Sequence, residues 1–145
     1  MVRFCTSCGE KIAEQSGHQQ AKLDKSELLG FLREAGEDLG HDLFQLNHKL
    51  PDGSSQDVFV DVQEDPDRDT DWDRVRISVG IGFAEDYSAQ EILDEIDACP
   101  FGVKLTEGQY WVESIMFIEH LTSLDAVTRM VEVLAVWQNR LEKLS

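Results

Sequence analysis

The run Val75-Arg76-Ile77-Ser78-Val79-Gly80-Ile81-Gly82-Phe83 constrains the fold more than any other stretch of the chain. Its apolar residues Val75, Ile77, Val79, Ile81 and Phe83 fall at every second position, which places all five on one face of a β-strand. The opposite face carries Arg74, Arg76, Ser78, Gly80 and Gly82. Small side chains there leave room for a close approach, by a helix or a second subunit. Such a strand requires sheet neighbours to satisfy its backbone N–H and C=O groups. Phe44, Leu46 and His48 alternate with Leu43, Gln45 and Asn47, and Val58, Val60 and Val62 alternate with Phe59 and Asp61. Between them Pro51-Asp52-Gly53-Ser54 is a turn sequence. Two further strands are expected near 101–106 and 109–119, turning at Glu107-Gly108. Tyr110, Val112, Met116 and Ile118 share one face of the last strand, and Trp111, Ile115 and Phe117 the other. A strand apolar on both faces is expected to be covered on both sides.

Helices bracket these strands. Asp24 is placed as an N-cap with Glu27 three residues on, and Leu23 and Leu28 are spaced as a hydrophobic staple. Leu28, Leu32, Ala35 and Leu39 follow at helical spacing, and Gly40 supplies a stop. Ser88-Ala89-Gln90-Glu91 is a capping box, with Tyr87 and Ile92 as its staple, opening a short helix that ends near Cys99-Pro100. Thr122 and Asp125 mark a third start. Leu124, Val127, Val131, Leu134 and Leu141 then line one side of a helix running to about Lys143, with Met130 and Trp137 beside them. The order is α-βββ-α-ββ-α, an α+β arrangement in which an antiparallel sheet is flanked by helices.

Charge decides which partners this scaffold can take. The 145 residues hold 29 Asp and Glu against 13 Lys and Arg, a formal net charge of -16. Phosphates attract the opposite composition, which argues against nucleic acid and anionic membrane surfaces. No apolar run approaches the ~20 residues of a membrane span. Arg3, Cys5 and Cys8 interrupt any signal-peptide core at the start. Residues 1–12 form a short arm, residues 13–22 continue a polar stretch that reads as a linker, and residues 23–145 form one domain. The first 23 residues sum to +1, which leaves -17 on the rest. That acidity serves solubility, a basic client, or life in high salt, toward which the count of six lysines leans. Three cysteines, an odd number, fit a reducing cytoplasm better than a disulfide scaffold.

The chemistry-bearing motifs are few. Cys5-Thr6-Ser7-Cys8-Gly9 can turn two thiolates toward one ion, so Cys5 and Cys8 are the candidate metal ligands and Zn2+ the candidate ion. His18 or a second chain would complete the four ligands that structural zinc wants. An empty knuckle is the alternative, and a redox pair lacks the strand–helix context. Asp65, Asp67, Asp69, Asp71 and Asp73 begin as a calcium loop would, but Thr70 and Arg76 stand where that loop needs Gly and Glu. A solvated acidic connection is the better reading, with Trp72 folding back over the sheet. Gly80-Ile81-Gly82 lacks the third glycine and the loop setting of a dinucleotide site. His18, His41, His48 and His120 are scattered, Cys99 fits a small buried residue, and Ser114 and Ser123 have no nucleophile-elbow context. No catalytic set emerges, and a non-enzymatic protein is expected. Tyr110, Trp111, Phe117 and Trp137 are core aromatics or, alternatively, contacts to a client or second copy.

The order of elements, the acidity and the long C-terminal amphipathic helix resemble the type III secretion chaperone-like fold. More narrowly, the Ile92–Ile96 helix, the Tyr110–Ile118 strand and Leu121-Thr122-Ser123-Leu124 entering the last helix resemble the YbjN family. That likeness spans roughly residues 23–145, and it implies a dimer-forming, partner-binding module with no catalytic residues to carry over. The arm from Phe4 to Ile12 resembles the first knuckle of a zinc ribbon, without the second Cys-x-x-Cys that such a ribbon has. The expectation is a non-enzymatic, cytoplasmic, homodimeric regulator or chaperone-like adaptor that binds a protein client. The alternative is a zinc-dependent assembly protein using Cys5 and Cys8.

Overall fold

The computed structural model describes residues 23–64 and 73–145. The first helix, α1 (Lys25–Ala35), starts as its sequence dictates: the Asp24 carboxylate accepts from the Ser26 N–H, and Leu23 and Leu28 are both buried. It ends earlier than the apolar spacing suggests. Gly36 is its C-cap, and a Cβ there would stand 2.6 Å from the Gln45 carbonyl oxygen, so the chain must pass that strand residue at a glycine. Leu39, expected on the helix, is therefore 42% exposed in the loop beyond it. In place of the last helical turn lies a two-residue strand, β1 (Glu37–Asp38), which the sequence pattern did not suggest.

Strands β2 (Leu43–Lys49), β3 (Ser55–Gln63) and β4 (Arg74–Phe83) follow. The β2–β3 turn has Gly53 at φ 92°, with the Asp52 carboxylate accepting from the Ser54 N–H and hydroxyl. A single 3-10 turn leads to α2 (Ala89–Glu95), capped by the Ser88 hydroxyl, which accepts from the Glu91 N–H. Strands β5 (Gly102–Thr106) and β6 (Gln109–Phe117) turn at Glu107 and Gly108, both at positive φ. The chain closes with α3 (Asp125–Glu142), and Ser123 rather than Thr122 supplies the hydroxyl at its start, accepting from the Asp125 N–H.

The six strands form one antiparallel sheet in the order β1-β2-β3-β4-β6-β5. The α+β class and the expected succession of long strands and helices are thus observed, with β1 added. Helices α1 and α3 pack on one face of the sheet, α3 lying over β3, β4 and β6. The core is one-sided. Phe44, Val58, Val60, Val75, Ile77, Val79 and Val112 point up from the sheet and are fully buried against Leu28, Leu32, Ile92, Leu134 and Leu141. Each such side chain contributes roughly 1.5–3 kcal/mol of burial.

Two details correct the simple alternation. The β4–β6 register shifts between Gly80 and Gly82, a bulge that turns Phe83 out of the core, and it is 53% exposed. The α3 stripe also contains a buried polar residue, Gln138, whose side-chain NH2 donates to the Gly80 carbonyl at 2.7 Å. This bond ties the helix to the bulge. Its Oε1 is buried without a partner among the described residues, which marks the contact as costly and position-specific.

Candidate functional site

Cys5, Cys8 and His18 lie outside the described residues, as do Trp72 and the acidic run from Asp65 to Asp71. Among the described residues no three His, Cys, Asp or Glu side chains gather as a metal site would require. His41 is exposed at φ 56°, His48 is half-buried in β2, and His120 stands exposed against the Phe117 ring. Cys99 is half-buried after α2, and its N–H donates to the Ile96 carbonyl. Ser114 is buried in β6, facing the helices. Gly80 and Gly82 sit inside a strand rather than a phosphate-binding loop. A cleft of about 210 Å³ separates the end of α1 from α3 above Leu46 and His48, with Glu132 on its wall.

The sheet face away from the helices is the larger feature. The registers align Leu43, Asp61, Arg76 and Ile115 in one row across it, and Gln45, Phe59, Ser78, Glu113 and Gly102 in the next. A third row holds Gly80, Trp111 and Lys104. None of its apolar members belongs to the core cluster: Phe59 and Trp111 are half-buried and Ile115 is 50% exposed. The expectation that β6 would be covered on both faces is therefore met on one face only.

Local packing shapes this surface. A Cβ on Gly80 would meet the Trp111 ring at 3.4 Å, so the outer edge of the indole rests against the strand there. It reaches Phe59 edge-on at 5.7 Å between ring centroids. What approaches the small residues of β4 is thus the chain's own rings, Trp111 over Gly80 and Tyr87 beside Gly82. Next to the aromatic pair, Arg76 sits between two carboxylates, 3.1 Å from Asp61 and 3.9 Å from Glu113. Gln63 donates to the same Asp61 oxygen at 2.7 Å. The three side chains are between 17% and 26% exposed, so screening by water is reduced and the cluster holds its geometry.

Charge is partitioned sharply between this face and the rest. The outer sheet face carries Lys49, Arg74, Arg76 and Lys104 against Glu37, Asp57, Asp61 and Glu113, a net charge of zero. All other described residues carry 19 Asp and Glu against five Lys and Arg. An aromatic, charge-balanced sheet face thus sits on a molecule whose remaining surface is strongly acidic. Such faces suit contact with protein chains rather than small-molecule chemistry.

Together the one-sided antiparallel sheet, its three helices and this open face define an α+β protein with the type III secretion chaperone-like fold. Among solved structures, the chain is similar to one in the structure of the HopA1–SchA chaperone–effector complex. The two share 18% identity with a TM-score of 0.53, over 83% of this chain and 98% of that one. No family model matches the chain, and no curated protein does. No helix among the described residues is long and apolar enough to cross a membrane.

Proposed function

We propose that this protein is a non-enzymatic, chaperone-like adaptor that holds a protein client and works as a homodimer. The observation that carries the reading is a surface divided between an open, half-exposed aromatic sheet face and a strongly acidic remainder, on a fold shared with a chain of a chaperone–effector complex. The narrower likeness to the YbjN family belongs to the same reading. The acidic remainder of the surface supports a client rich in Lys and Arg, drawn in by long-range attraction. Strand β5 is the outermost full-length strand on its side of the sheet, and its free edge can take a client segment as an added strand.

The test is affinity capture of the tagged protein from its native lysate at low salt, followed by reconstitution of each captured protein with purified chain. A basic client should bind in fixed stoichiometry and be released as salt rises. A reconstituted complex of unchanged affinity across salt would remove the electrostatic part. Failure of every captured protein to rebind would overturn the adaptor reading.

A further inference from the structure

We infer that the outer sheet face is where a second copy of this chain docks, which leaves the acidic surface free for the client. This rests on the self-association proposed above and assigns it a place. Two molecules of net charge -16 repel wherever their acidic surfaces meet. The outer sheet face combines an apolar centre with near-neutral charge, so contact there adds no like-charge opposition to the long-range repulsion. Phe59, Trp111 and Ile115 supply the apolar centre. Arg76 already has both its carboxylate partners within its own chain, so the charged cluster can be covered without needing a new counter-ion. Lys49 and Lys104 sit at opposite margins of the face, where they can meet carboxylates of the other copy. The face carries both signs of charge in equal number, so a second copy of it brings no net like charge into the contact.

This assignment predicts opposite salt responses at the two surfaces. Client binding weakens as salt rises, whereas self-association tightens because salt screens the repulsion between two acidic bodies. The experiment is sedimentation equilibrium of the full chain at about 0.02 M and about 0.5 M salt, where the Debye length falls from roughly 20 Å to a few ångströms. Ile115→Asp, Lys104→Glu and Val136→Asp are run beside it, with near-UV circular dichroism confirming that each is folded. Ile115 is half-exposed and Lys104 exposed, so neither change empties the core; Val136 is exposed on α3, across the sheet. The expected result is a dimer that tightens with salt. Ile115→Asp should weaken it by about thirty-fold or more, the scale of an interface hot spot, Lys104→Glu should weaken it chiefly at low salt, and Val136→Asp should leave it unchanged. A dimer that survives both sheet-face substitutions overturns the placement and leaves self-association standing. A monomer at both salts overturns self-association itself, and the placement with it.

Discussion

Two glycines on β4 and one glutamate on α3 show how much single side chains control here. A Cβ at Gly82 would stand 2.5 Å from the Tyr87 ring, whose hydroxyl donates to the Glu142 carbonyl at 3.0 Å. Gly82→Ala must push that ring away and loosen the end of α3, at a cost of about 1–3 kcal/mol, measured as a lowered urea midpoint. Gly80→Val is a different case, because the atom it displaces is the edge of the Trp111 ring on the open face. It should shift Trp111 off Phe59 and weaken self-association while leaving the core intact, seen as a change in tryptophan emission with a near-native melting temperature. Glu142 responds to pH. Burial raises its pKa above the ordinary glutamate value, and the Gln56 amide only partly offsets this. A carboxyl whose folded pKa is raised favours the folded state while protonated, and that advantage fades as pH rises through the raised value. Glu142→Gln should therefore raise the melting temperature at neutral pH and lose that benefit below the ordinary glutamate range.

At the level of elements, caps and turns were legible and helix ends were not. Asp24 and Ser88 cap α1 and α2 as their local sequence requires, since each motif is complete within four residues. Ser88→Ala should cost about 0.5–2 kcal/mol, and a thermal or urea unfolding curve measures it. Leu39 and Phe83 show where periodicity fails. Leu39 continues the α1 spacing but lies beyond Gly36, where close passage over Gln45 ends the helix. Phe83 continues the β4 alternation but follows the bulge, and one inserted residue reverses which face a side chain takes. Both outcomes depend on a neighbouring strand, and no local pattern encodes that neighbour. The same holds for Gln138, a polar residue inside the buried stripe of α3, whose partner is a backbone carbonyl 58 residues away in sequence.

For the whole molecule, the decisive quantity is where the charge lies. Composition gives -16 but says nothing of its distribution over the fold. Folding collects four of the nine described Lys and Arg on one sheet face. The expected consequence is two surfaces with opposite ionic responses, tested by following client affinity and subunit mass over one salt series. The arm offers an independent test of the zinc alternative. If Cys5 and Cys8 hold zinc, changing both to Ser should abolish metal uptake by the purified protein and alter its subunit mass. Retention of both properties would leave the arm outside any assembly role.

Period and capping in the sequence determined the kind and order of the long elements and most members of the core, because period-two and period-3.6 patterns are local consequences of backbone geometry. Tertiary structure alone decided the strand order, the bulge, the end of α1 and the exposure of the outer sheet face. Those features arise from contacts between residues far apart in the chain. They decide which of two apolar faces of one strand is covered by helices and which is left open.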